Sequence, residues 1–154
     1  MVQYIRTNSG NNDFQKLVTE LDEDLAIRDG ADHAFYAQFN KTAAIKQVIV
    51  AYNNDLPAGC GAIREYSPGT MEVKRMYVPP AFRGKGIASR ILKHLEDWCA
   101  ELNYTKCILE TGKNQPEAIA LYKKNGYSII PNYGQYKNIG NSVCFEKELL
   151  LPEK

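Results

Sequence analysis

The sequence predicts a single α+β domain spanning residues 1–154, built on a mixed sheet of about seven strands with about four helices. Three observations carry this prediction. Three strand-like runs between residues 45 and 78, the first rich in β-branched residues, are joined only by short turns, which makes an antiparallel meander. A long apolar stripe at helical spacing follows from Ile87. Another strand comes after it, so the last meander strand, the long helix and that strand form a βαβ unit whose two strands run parallel and adjacent.

Residues 2–6 alternate as a short strand, and "NNDFQKLVTELDEDLAIRD" places Phe14, Leu17, Val18, Leu21 and Leu25 at helical spacing behind an Asn11 or Asn12 cap. A short second helix or a loose turn is expected over residues 31–40. "IKQVIVAYNN", "AGCGAIREY" and "MEVKRMYV" are the meander strands, with "NNDLP" and "SPGT" as turns. The long helix carries Ile87, Ile91, Leu92, Leu95, Trp98 and Leu102 on one stripe. "YTKCILETG" is the fifth strand. "QPEAIALYKKNGY" is a helix opened by Pro116 and closed by Asn125-Gly126, and "YSII" and "SVCFEKEL" are the last two strands.

Composition excludes several classes of function. Hydrophobic residues at 44% and charged residues at 24% suit a globular chain and not a disordered one. A net charge of +1 lacks the basic excess of a nucleic-acid binder. The four cysteines, Cys60, Cys99, Cys107 and Cys144, show no metal-ligand spacing, so buried reduced thiols and no metal are expected. There is neither a signal-peptide pattern nor a run of eighteen apolar residues, which leads to the expectation of a cytoplasmic protein with no membrane partner.

The chemistry concentrates in "PPAFRGKGIASR", residues 79–90. A P-loop would need Gly-x-x-x-x-Gly-Lys followed by Ser or Thr, but here Lys85 lies between the glycines and Ile87 follows Gly86. A dinucleotide turn would need a third glycine where Ser89 stands, together with an acidic ribose ligand that has no counterpart here. Two readings remain. In one, the glycines serve backbone angles alone. In the other, Arg83, Gly86 and Ala88 satisfy Arg/Gln-x-x-Gly-x-Gly/Ala, and the free amides of a helix N-terminus hold a pyrophosphate.

In this context the sequence resembles the GNAT superfamily of acetyl-CoA-dependent N-acetyltransferases. The resemblance runs through "EVKRMYVPPAFRGKGIASRILKHLEDWC" and "KCILETGKNQPEAIALYKKNGY" and covers roughly residues 45–148. "LETG" at residues 109–112 looks like a subgroup of small bacterial members. The resemblance implies that strands 4 and 5 splay apart to admit the pantetheine arm. The backbone of Met76, Tyr77 and Val78 would bind that arm, with a bulge aiming an amide at the thioester oxygen. The pyrophosphate would lie on Arg83, Gly84, Lys85, Gly86, Ile87, Ala88 and Ser89, and Asn114 would touch the arm or else cap a helix.

Tyr122 matches the family tyrosine that donates a proton to the leaving thiolate; the alternative is simple packing on the sheet. Glu72 and Glu110 are the candidate bases for the amine, and a salt bridge from Glu72 to Arg75 or Lys74 is the plainer role. His94 is expected on the polar side of the long helix. His33, Tyr36, Tyr133 and Tyr136 border the expected acceptor site, the last two from the irregular loop "PNYGQYKNIGN". The implied function is acetyl transfer from acetyl-CoA to a primary amine in a ternary complex, with a small-molecule acceptor favoured. A non-catalytic acyl-CoA-binding module and a protein or peptide N-acetyltransferase are the rivals. Homodimerisation is left open by the sequence.

Overall fold

The computed structural model describes residues 1–29 and 44–149. The segment expected to hold a second helix, with His33 and Tyr36, lies outside the described residues. Among the described residues seven strands form one sheet: β1 (Val2–Thr7), β2 (Gln47–Asn53), β3 (Leu56–Ser67), β4 (Thr70–Tyr77), β5 (Lys106–Gly112), β6 (Ser128–Ile130) and β7 (Ser142–Glu148). Their spatial order is β1-β2-β3-β4-β5-β7-β6. Three α-helices accompany them among the described residues: α1 (Asn12–Asp29), α2 (Ile87–Glu101) and α3 (Pro116–Lys124). The seven strands and the mixed sheet are as the sequence predicts.

Every neighbouring pair is antiparallel except β4 and β5, which the α2 crossover forces to run parallel. That parallel ladder is short. It pairs Thr70 with Lys106, Met71 with Cys107 and Glu72 with Ile108, and then ends. Both strands continue, β4 to Tyr77 and β5 to Gly112, so they diverge over their C-terminal halves. On its other side β5 stays fully paired with β7, from Lys106 opposite Glu148 to Gly112 opposite Ser142. The opening therefore belongs to the β4–β5 junction alone.

Apolar spacing sets the two layers. Phe14, Leu17, Val18 and Leu21 of α1 pack with Val48, Val50, Cys60, Ala62 and Tyr77 on one side of the sheet. Ile87, Ile91, Leu92, Leu95 and Cys99 of α2 pack with Ile49, Ile63, Val73, Leu109 and Phe145 in the other cluster, which also takes in Tyr122 of α3. The Asn11 side chain accepts the Phe14 amide at 2.9 Å and caps α1. The α2 stripe is narrower than its spacing predicts. Leu102 ends the helix as its C-cap and is exposed, and Trp98 is half-buried beneath the Arg6 guanidinium. His94 is half-buried, stacked on Tyr4 with ring centroids 4.7 Å apart.

The four thiols are free and buried. Among the described residues no helix is long and apolar enough to cross a membrane.

Candidate active site

The site begins with a defect in β4. Between Cys60–Tyr77 and Ala62–Lys74, the β3–β4 register gains a residue on the β4 side, so a bulge sits at Arg75 and Met76. Arg75 adopts a left-handed φ of 59° there, a conformation that costs a non-glycine residue about 1–2 kcal/mol. Two contacts hold it. Arg75 Nη2 donates to Asp22 Oδ1 of α1 at 2.7 Å, and the Cys60 thiol donates to the Arg75 carbonyl at 3.3 Å. Beyond Glu72 the β4 edge facing β5 has no ladder partner among the described residues.

Two cavities open into that divergence. The larger, of about 310 Å³, is walled by the end of β4, the glycine turn, the start of α2 and one face of α3. Met76, Tyr77, Val78, Arg83, Gly84, Gly86, Ile87, Ala88 and Ser89 all line it, so most of the expected cofactor residues come together. The smaller, of about 100 Å³, is lined by Glu72, Lys74, Arg75, Glu110 and Tyr136 among others. Both cavities share Leu21, Met76, Gln115, Ala118 and Tyr122. Tyr122 therefore stands at their junction.

The glycine turn is shaped for close approach. Gly84 and Gly86 have φ values of 80° and 78°, which L side chains rarely adopt. A Cβ added at either would meet no atom within 4 Å, so the space above the turn is open. Gly86 is the N-cap of α2 and supplies no side chain to the first amides, which leaves them for an anion. Arg83 folds back, its Nε donating to the Val78 carbonyl at 2.8 Å, and its guanidinium lies 5.9 Å from the Tyr77 ring centre. Ser89 Oγ accepts from Asn125 at 3.1 Å.

Two expected residues sit elsewhere. Lys85 lies over the Phe82 ring, outside the cavity lining. The Asn114 amide donates to the Arg28 carbonyl at 3.1 Å, tying the end of α1 to the approach of α3. The same seam carries ion pairs from Arg28 to Asp24 and Glu117. Neither cavity is lined by Asn114; its neighbour Gln115 lines both. Gln115, Ala118 and Leu121 escaped the sequence reading, although Ala118 and Leu121 share a helical face with Tyr122 and could have been found by that spacing.

Electrostatics separate the side chains in the small chamber. Burial, and after it the charge of Glu110, pushes the Tyr122 hydroxyl above its usual range, so it is a protonated donor at neutral pH. Burial and then Glu110 and Glu72 push Tyr136 upward in the same way. Tyr133 Oη donates to Glu72 Oε2 at 2.6 Å, and Lys74 Nζ stands 3.5 Å from Glu72 Oε1. The plainer expectation for Glu72 is thus met with Lys74 but not with Arg75, because the bulge turns Arg75 toward α1.

Residues 13–127 match the model of the acetyltransferase (GNAT) family. The chain belongs to the GNAT acetyltransferases. Over 102 residues it is 38% identical to an IAA acetyltransferase of Azospirillum brasilense, covering 66% of this chain and 67% of that one. An uncharacterized N-acetyltransferase of Bacillus subtilis is 31% identical over 101 residues, 64% of this chain and 67% of its own. A putative acyl-CoA N-acyltransferase of Klebsiella pneumoniae superposes with a TM-score of 0.82 at 26% identity, over 97% of this chain and 99% of its own. An N-acetyltransferase of Thermoplasma acidophilum, solved with coenzyme A, shares the fold at 14% identity with a TM-score of 0.70, over 96% of this chain and 99% of its own. This GNAT chain is accordingly an acetyltransferase.

Proposed function

We propose that this enzyme moves the acetyl group of acetyl-CoA to a primary amine of a small-molecule acceptor within a ternary complex. The observation that carries the proposal is the meeting of two cavities at Met76 and Tyr122, inside the β4–β5 divergence. The larger cavity suits the cosubstrate. Open space over Gly84 and Gly86, at the uncapped start of α2, accommodates a pyrophosphate, and the unpaired β4 edge offers backbone groups to an extended arm. Bound there, acetyl-CoA supplies a thioester whose carbonyl carbon the amine attacks, the C–N bond forming as the C–S bond breaks.

The chain's own groups manage the protons. Tyr122, protonated and at the junction, gives its proton to the departing thiolate and is reprotonated from solvent. A carboxylate of the small chamber takes the proton of the amine. A chamber of about 100 Å³ favours a compact amine, which is why a small molecule is proposed as the acceptor.

Initial-velocity kinetics across a panel of amines, following free thiol, test this. Intersecting double-reciprocal lines are expected. Parallel lines would indicate a covalent acetyl-enzyme, and thiol release independent of amine would reduce the activity to hydrolysis.

A further inference from the structure

The small chamber has walls of two kinds. Most of its lining lies on or beside β4, β5, α1 and α3, where Val73, Leu21 and Ala118 also pack in the two main cores. Among the described residues the β6–β7 loop, residues 131–141, contributes Tyr136 alone. That ring is 3% exposed and packs with Cys144, Ile130 and Ile139 in a small cluster of its own. A wall carried by a loop can differ without disturbing the sheet, which is where specificity usually resides.

The loop is a built structure. Asn132 Nδ2 donates to the Ile139 and Ser142 carbonyls at 3.0 and 3.1 Å, closing its neck. The Tyr136 amide donates to the Tyr133 carbonyl at 2.9 Å, so both tyrosines belong to one turn, and their rings meet edge-on at 5.8 Å. Between them Gly134, at φ 53°, lies against Tyr66 of β3, where an added Cβ would stand 3.0 Å from the hydroxyl oxygen. Tyr133 meets the same Tyr66 ring edge-on at 5.1 Å.

One bond latches this turn to the sheet. Tyr133 Oη donates to Glu72 Oε2 at 2.6 Å, reaching from the loop, past β5, to β4. Glu72 is 3% exposed, and its other oxygen faces Lys74 Nζ at 3.5 Å and Arg64 Nη2 at 3.9 Å. A hydroxyl on a buried carboxylate is a charge-assisted bond, roughly twice as strong as a neutral one. Whatever fixes Tyr133 fixes Tyr136, because one turn carries both.

We infer that Tyr136 is the specificity-determining residue on the acceptor side, held by the Tyr133–Glu72 latch where its ring restricts the chamber to short primary amines. This rests on the proposed acetyl transfer and names the acceptor class of that same site. An amine whose nitrogen meets the thioester beside Tyr122 keeps its remaining atoms in a space of about 100 Å³ that Tyr136 helps to bound. The latch sets where that wall stands, whichever group takes the amine proton.

A straight-chain series from ethylamine to octylamine tests this. Thiol release is followed, together with calorimetric affinity of each amine for the enzyme–coenzyme A complex. The quantity read is octylamine over ethylamine, in kcat/KM and in affinity, so an effect on proton transfer common to both amines divides out. Wild type and Tyr136→Phe, which keeps the ring, should share one low ratio. Tyr136→Ala should raise it at least tenfold. Tyr136→Leu, which keeps an apolar contact in the cluster, should raise it at least threefold and decides the matter should the alanine variant not fold. Tyr133→Phe keeps its ring contacts and loses only the latch, so the ratio should rise about threefold. Hydrogen exchange at the Tyr136, Lys137 and Ile139 amides should then rise about tenfold, whereas Glu72→Gln, still an acceptor for the hydroxyl, should hold it within about threefold of wild type. A ratio unchanged in both Tyr136→Ala and Tyr136→Leu would overturn the inference, as would unchanged exchange in Tyr133→Phe or a wild type that binds no amine of the series. If wild type binds amines but releases no thiol with them, the acetyl-transfer proposal fails, and the affinity ratios and loop exchange still decide the role of Tyr136.

Discussion

Arg75 of β4 and Asp22 of α1 are joined by a 2.7 Å ion pair that pins the bulge from outside the sheet. The Arg75 side chain is 3% exposed and that of Asp22 is 50% exposed, so the pair has one buried and one wet end. Removing the wet end leaves a buried guanidinium short of a partner, in a backbone conformation that is already unfavourable. Asp22→Ala is expected to cost about 1–2 kcal/mol, less than a fully buried pair would. Urea denaturation reads the loss. Calorimetry should show weaker acetyl-CoA binding as well, because Met76 follows Arg75 directly.

At Gly86 backbone and space can be separated. Asparagine tolerates φ near 78° better than most residues, whereas alanine does not. Gly86→Ala should therefore lose about 1 kcal/mol of stability and also some cofactor affinity. Gly86→Asn should keep more of the stability, yet its side chain enters the open space above the turn and lowers acetyl-CoA affinity at least tenfold. Equal affinity in Gly86→Asn and wild type would mean that nothing lies against this turn.

Away from the site, Glu96 of α2 is 6% exposed and accepts from Tyr127 Oη at 2.9 Å and Lys147 Nζ at 2.9 Å. Tyr127→Phe takes away one of its donors, so a loss of about 1–2 kcal/mol is expected, with kcat unchanged. A thermal melt and a turnover assay check both halves of that statement.

Burial pushes the Cys60 thiol up to about 12 and the Cys144 thiol up to about 11. Both thiols stay protonated in the folded chain well above the ordinary value of 9.0, while the unfolded chain loses those protons there. The folded state then binds more protons than the unfolded one, so stability falls as pH rises above about 9. Cys60→Ser and Cys144→Ser should flatten that alkaline decline. In neutral buffer a thiol reagent should find no reactive cysteine until denaturant is added, which also makes free-thiol detection usable for turnover.

The legible part of this molecule is local in sequence. Strand-like runs between short turns marked the meander, the Ile87–Leu95 stripe marked α2, and the βαβ rule made β4 and β5 parallel neighbours. The Gly84–Gly86 turn was legible because positive φ leaves a residue-type signature. What escaped were pairings between side chains far apart along the chain. Tyr133 meets Glu72 across 61 positions, and Arg75 meets Asp22 across 53. No periodicity encodes such contacts. Asn114 shows the same limit: its type fits an arm contact or a cap of its own helix, and it bonds instead to the carbonyl of Arg28, 86 positions earlier.

Tyr122→Phe, read as kcat beside the calorimetric affinity for acetyl-CoA, tests the role of this hydroxyl most directly. Tyr122 stands at the junction of the two cavities, and only its hydroxyl is removed. A fall in kcat of about a hundredfold is expected, with cofactor affinity within about twofold of wild type. Parallel loss of both, or an unchanged kcat, would remove Tyr122 from the proton transfer and leave it as packing against Tyr127 and Phe145.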